Sequence, residues 1–205
     1  VKTKVKGFRT TDGAGVKLVR VLGNLTTKEF DPILMLDSFD SINPDDYTAG
    51  FPMHPHRGIE TISYVSRGKM VHRDSLGNEA GISDGEVQWM NSGSGIMHEE
   101  MVPAAERLLG VQLWLNLPAK DKMSKPSYNS IKNEDIKEIE IEGGKIRLLA
   151  GKYGEHEGYK GDYLSMDYYD IHLNADAEVT LTMEEDDSVM VFTLLGDVYI
   201  DGEHI

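Results

Sequence analysis

The feature that most constrains this chain is that its apolar runs are short and are repeatedly cut by glycine-bearing turns. Runs such as "GVKLVRVLG", "ETISYVSRG", "EVQWMNSG", "VQLWLNLP" and "EVTLTME" are separated by "SLGN", "SDGE", "SGSG" and "EGGK". Short apolar stretches bounded by turn residues read as β-strands, and many of them in succession predict an antiparallel sandwich or barrel. In "VQLWLNL", Val111, Leu113, Leu115 and Leu117 share one face, whereas Gln112, Trp114 and Asn116 share the other. That period of two marks a strand. Two stretches have helical character: "AAERLL" is too short to stand as a helix, and "SIKNEDIKEI" is expected to supply at most a turn or two. The stretch from Pro118 to Asp135, rich in Lys, Ser, Asn and Pro, predicts a division into a unit over 1–118, a linker over 119–135 and a second β unit over 136–205.

Composition narrows the function. With 40% hydrophobic residues in 205, the chain can bury a core. Its formal net charge of −14 repels phosphate backbones and anionic lipid, so neither direct nucleic-acid binding nor membrane binding is expected. The first residues, "VKTKVKGFRT", lack the apolar stretch of an export signal, which predicts a cytoplasmic protein. There is no cysteine, so any metal must be held by nitrogen and oxygen.

Two of the seven histidines occur in "FPMHPHRGIE", one residue apart. On a strand, alternate residues share a face roughly 6.5–7 Å apart, so His54 and His56 can converge on one cation. By the same parity Gly58, Glu60, Ile62 and Tyr64 would continue that face. Further along, "SGSGIMHEEM" places His98 and Glu100 at the same interval, with Glu99 pointing away. Gly93 and Gly95 allow a tight turn before that strand. Three imidazoles and one carboxylate suit a single divalent ion, iron first, with zinc, copper, nickel or manganese as competitors. His72, His156, His172 and His204 lack such neighbours in sequence and read as structural or surface residues. "NSGSG" is not followed by the Lys-Ser/Thr of a phosphate loop, and "EEDD" at 184–187 reads as a solvated turn.

The stretch "GFPMHPHRGIETISYVSRGKMVHRDSLGNEAGISDGEVQWMNSGSGIMHEEM", continuing through "RLLGVQLWLNLPAKDKMSKPSY", resembles the amino-terminal cupin of the pirin family. The resemblance implies an all-β fold of two stacked cupin barrels, with one mononuclear metal, usually iron, in the first and none in the second. It also implies His54, His56, His98 and Glu100 as the ligands. Glu60 stands where many other cupins supply their carboxylate ligand. In pirins it is not a ligand, and it is expected here to accept a hydrogen bond from a ligating imidazole. Pirins usually extend beyond the equivalent of "LGDVYIDGEHI", so the second barrel is expected to be incomplete within this sequence. The activity implied is that of a flavonol (quercetin) 2,3-dioxygenase, with Glu100 as the catalytic base and a small planar aromatic substrate. Met53, Met97 and Ile62 are expected to line the substrate pocket. The alternative of a different class is a non-enzymatic, iron-dependent redox sensor that binds a protein partner.

Overall fold

A computed structural model describes residues 1–205. The strands of the amino-terminal part are β1 (Phe8–Asp12), β2 (Val16–Leu22), β3 (Ile33–Ser41), β4 (Phe51–His56), β5 (Ile59–Arg67) and β6 (Lys69–Asp74), followed by β7 (Glu79–Ser83), β8 (Glu86–Asn91), β9 (Ile96–Met101), β10 (Leu108–Asn116) and β11 (Ser127–Ile131). They form two antiparallel sheets, one of seven strands in the order β1-β2-β3-β10-β5-β8-β11 and one of four in the order β4-β9-β6-β7. Facing each other, the two sheets make the walls of the first barrel. The segment 119–135, read from sequence as a linker, carries β11, which pairs with β8 from Ser127↔Asn91 to Ile131↔Val87 and so extends the large sheet.

The alternation in "VQLWLNL" is realised in β10, but both of its faces are covered. Val111, Leu113 and Leu115 lie on the outer face with Ile62, Tyr64, Val87 and Trp89, packed against Leu149 and Ala150 of the carboxy-terminal part. The opposite face looks into the barrel, where cross-strand register stacks its residues in layers. Gly110 pairs with Phe39 and Val65, Gln112 with Asp37 and Ser63, and Trp114 with Met35 and Thr61. At the Gly110 end, Phe39, Phe51, Val65, Met70, Ile82 and Leu108 form an apolar cluster that joins the two sheets. The Gln112 layer is polar, and the histidines stand at the next, where His56 meets Trp114.

The carboxy-terminal part contains β12 (Lys137–Ile141), β13 (Gly144–Ala150), the short pair β14 (Lys152–Tyr153) and β15 (His156–Glu157), β16 (Tyr168–Leu173), and a last pair, β17 (Tyr199–Ile200) and β18 (Glu203–His204). Its main sheet has three strands, in the order β12-β13-β16. Helix is confined to one turn at Thr27–Phe30 and a 3-10 turn at Pro44–Asp46. Neither "AAERLL" nor "SIKNEDIKEI" is helical: the former runs into β10, and the latter crosses from β11 through a turn into β12. No helix is long and apolar enough to cross a membrane.

Candidate metal centre

Strands β4 and β9 build the site together. Their antiparallel register places His54 opposite His98 and Phe51 opposite Glu100. Along β9, Ile96, His98 and Glu100 are buried while Met97 and Glu99 face outward, the parity expected of the HxE pair. The turn before β9 requires glycine at one position in particular. Gly93 has φ of +41°, and a Cβ there would lie 2.1 Å from the carbonyl oxygen of Ser124. Gly95 also has positive φ, at +136°, but open space around it.

Three imidazoles converge. The ligand nitrogens of His54, His56 and His98 lie within 4.8 Å of one another, a group able to hold a metal ion. His54 Nε2 approaches His56 Nε2 at 3.0 Å, and His54 Nδ1 lies 2.8 Å from the carbonyl oxygen of Pro52. Because that carbonyl only accepts, His54 carries its proton on Nδ1 and keeps the Nε2 lone pair free. His98 is 1% exposed, and its Nε2 is buried with no hydrogen-bond partner. An orphaned imidazole nitrogen beside two others is costly in a protein alone and fits a bound cation. Burial, and secondarily the neighbouring imidazoles, push His56 down to about 4 and His98 to about 2. The rings of His56 and His98 are therefore neutral at physiological pH, the state that ligation requires. His54 and His56 are only partly buried, so the group is reachable from solvent, and the indole of Trp114 meets His56 edge-on at a centroid distance of 4.8 Å.

The carboxylate of Glu100 stands outside that group of three. It is 2% exposed, and both of its oxygens accept from Gln112 Nε2, at 3.1 and 3.2 Å, while Gln88 Nε2 also donates to Oε1. Burial pushes its carboxyl up, against the pull of Gln112, His54 and Gln88. Both glutamines also donate to Ser63 Oγ, which fixes their orientation. Sequence reasoning misses Gln88, Gln112 and Ser63. The signal is present in the polar positions of β5, β8 and β10, which a sequence reading treats as facing solvent.

Four expectations need correction. Glu60 does not reach the histidines. Gly58, with φ of +69°, breaks the chain between β4 and β5 and ends the parity carried from His56. Glu60 therefore lies on the outer face with Ile62 and Tyr64, 1% exposed, and its Oε2 has no partner. Ile62 is fully buried in the outer-face core, so it cannot line a pocket at the histidines. Met53 and Met97 are 49% and 40% exposed on the outside of the four-stranded sheet. His72 is no isolated structural histidine: it is fully buried, with Nδ1 3.3 Å from Nδ1 of His98, and its ring stacks on Tyr128 at 3.9 Å. The sequence carried a signal for it, since "VHRD" places His72 and Asp74 at the same interval of two as the ligand pairs. His156, His172 and His204 lie in the carboxy-terminal part, exposed.

A sequence model of the Pirin family matches residues 15–115. A pirin-like protein of Caulobacter vibrioides is 40% identical over 200 residues, covering 96% of this chain and 72% of its own. The chain belongs to the pirin family. Another family relative, a Pseudomonas aeruginosa protein provisionally named as a quercetin 2,3-dioxygenase, is 42% identical over 204 residues, 96% of this chain and 72% of that one. Among solved structures, a quercetin 2,3-dioxygenase from Acinetobacter baumannii superposes with a TM-score of 0.69 at 30% identity over 80% of this chain. The pirin chain described here spans 61% of that protein's length. The fold is that of the cupins, with the histidine group inside the first barrel.

Proposed function

We propose that this pirin is a metal-dependent flavonol 2,3-dioxygenase of the quercetin type, with His54, His56, His98 and Glu100 holding one divalent ion, iron, inside the first barrel. The observation that carries the reading is the partnerless, buried Nε2 of His98 facing two further imidazoles. A redox-active ion bound there would supply electron transfer between flavonol and O₂ as the heterocycle opens and carbon monoxide leaves. The chain's own residues do the rest. Trp114 offers an aromatic surface beside His56 for a planar ring. Glu100, its carboxyl raised by burial and steadied by Gln88 and Gln112, takes the proton of the substrate hydroxyl. The buried polar layer of Ser63, Gln88 and Gln112 holds that carboxylate in place.

Metal content and oxygen uptake test this directly. His56→Ala and His98→Ala should each lose most bound iron, and stoichiometric retention by either would sink the ligand assignment. Iron-loaded protein should consume O₂ and form carbon monoxide with quercetin, and the zinc form should be far slower. Glu100→Gln should lower kcat more than it raises KM. An iron-loaded protein silent across a flavonol panel would leave the alternative: a metal-dependent regulator that binds a protein partner.

A further inference from the structure

His98 does not meet the remainder of the barrel alone. On the side away from His54 and His56, its Nδ1 lies 3.3 Å from Nδ1 of His72, and His72 Nε2 lies 2.9 Å from Oδ2 of Asp74. The Asp74 side chain is wholly buried but fully satisfied. Its Oδ1 accepts from the backbone N–H groups of Leu76 at 2.8 Å and Asn78 at 3.1 Å, and its Oδ2 also accepts from Asn78 Nδ2 at 2.8 Å. Strand register brings these residues together, with β6 lying beside β9 so that Asp74 is opposite His98 and His72 opposite Glu100.

The direction of each hydrogen bond in this line is forced. An ionised carboxylate surrounded by donors can only accept, so His72 must carry its proton on Nε2. A neutral His72 then has its lone pair on Nδ1, and the atom facing it, His98 Nδ1, must donate. A neutral His98 protonated on Nδ1 has its lone pair on Nε2, the buried nitrogen without a partner. We propose that Asp74 and His72 are positioning residues that fix His98 in its Nδ1-protonated tautomer, so that Nε2 stands ready to ligate a metal; the ligation half of this rests on the metal site proposed above. Tyr128 holds the plane of the His72 ring by stacking on it at an interplanar angle of 13°. The arrangement follows the general rule that a ligating imidazole is oriented through its other nitrogen, here with a second imidazole inserted before the carboxylate.

Asp74→Asn tests the direction of the line. The two backbone N–H groups at Leu76 and Asn78 keep the amide oxygen at the Oδ1 position, which puts an NH₂ group in front of His72 Nε2. The Asn78 side-chain amide can turn over to accept from it. His72 must then accept at Nε2 and donate from Nδ1, which forces the proton of His98 onto Nε2, the wrong tautomer for ligation. Nitrogen-15 long-range correlation spectra of metal-free protein at mildly alkaline pH report which ring nitrogen carries each proton. We expect His98 protonated on Nδ1 in the wild type and on Nε2 in Asp74→Asn. Should Asp74→Asn fail to fold, His72→Phe keeps the stack on Tyr128 but removes the acceptor, and His98 should become a mixture of tautomers. An Nε2-protonated His98 in the wild type, or a tautomer indifferent to the variant that folds, overturns the proposal. Calorimetric titration with zinc(II) alone separates it from the metal reading. Asp74→Asn should bind zinc 10- to 100-fold more weakly than wild type, on the order found for such outer partners. Tautomers as expected with no zinc binding by the wild type would refute the metal site and leave the hydrogen-bonded line standing; tight zinc binding with unswitched tautomers would do the reverse.

Discussion

A single residue shows how far identity and position can diverge. Glu60 lies in a stretch whose spacing from His54 suits a metal-site carboxylate, yet it points to the opposite side of the large sheet, buried beside Ile62 and Tyr64. Its Oε2 has no partner, and burial pushes its carboxyl up. The native state therefore favours the protonated form more than the unfolded chain does, whose carboxyl titrates at about 4.3. Stability on this account is greatest below that unfolded value and declines as pH rises toward the folded one, because the native state must then hold a buried charge. Glu60→Gln should match wild type in acid and become more stable toward neutral pH, by about 1 kcal/mol, the order of relieving a poorly satisfied buried group. Its metal content should equal that of wild type. Denaturant midpoints across pH check the first part and metal analysis the second. A variant that lost its metal would return Glu60 to the site.

At the scale of the element, β9 is only as well placed as the turn that leads into it. Gly93 and Gly95 look equivalent in "SGSG", but their surroundings differ. A side chain at Gly93 would collide with the backbone of Ser124, which also accepts from the Ser94 N–H at 2.8 Å, whereas one at Gly95 would meet nothing within 4 Å. Gly95→Ala should cost only the conformational penalty of its φ of +136°, a region outside the left-handed helical well that only glycine enters readily, on the order of 1–3 kcal/mol. Gly93→Ala carries a steric clash in addition and should cost more, on the order of 4 kcal/mol. Thermal unfolding of both variants gives the comparison, and equal losses would show that the contact with Ser124 is not a constraint. The same element explains why the HxE pair was legible. Ile96, His98 and Glu100 alternate strictly with exposed or half-exposed residues, and nothing interrupts the strand between them. The face predicted from His56 through Glu60 failed for the complementary reason: Gly58 lies between two strands that belong to different sheets.

For the whole molecule, the contact between the two β units is chemical as well as apolar. Arg147 of β13 is 7% exposed and donates from Nη1 to the carbonyl oxygen of Gly85 at 2.8 Å and to Tyr64 Oη at 3.4 Å, both in the first barrel. Its Nη2 donates to Asn133 Oδ1 at 2.6 Å, and its Nε to Glu138 Oε1 at 2.9 Å. Tyr64 in turn donates to Asp170 of β16. A buried guanidinium with this many acceptors is costly to remove, because the acceptors remain buried without it. Arg147→Ala should lower stability by about 3 kcal/mol. Trp89 packs against Tyr159 of the second unit at 5.1 Å and reports on this contact. In a Trp114→Phe background, which leaves Trp89 as the single tryptophan, its fluorescence and the far-ultraviolet circular dichroism should change together through a urea titration. In Arg147→Ala on that background the fluorescence should change first. An unshifted urea midpoint would mean that the apolar core alone joins the units.

The sequence by itself determined what is local and periodic: the all-β class, the parity of β9 and β10, the glycine turn before β9, and the three histidines that gather in the barrel. Strand alternation is a property of the backbone, so it could be read without knowing what each face would meet. Tertiary structure alone decided which side of each sheet became the barrel interior. That choice made Gln88, Gln112 and Ser63 the support of Glu100, drew His72 and Asp74 against His98, and sent Glu60 and Ile62 to the outer face. It also built β11 into the first barrel, because strand pairing depends on a partner distant in the chain, here β8. A polar residue on a strand is the same letter whether it faces water or lines a buried site, and only the closing of one sheet over another distinguishes the two.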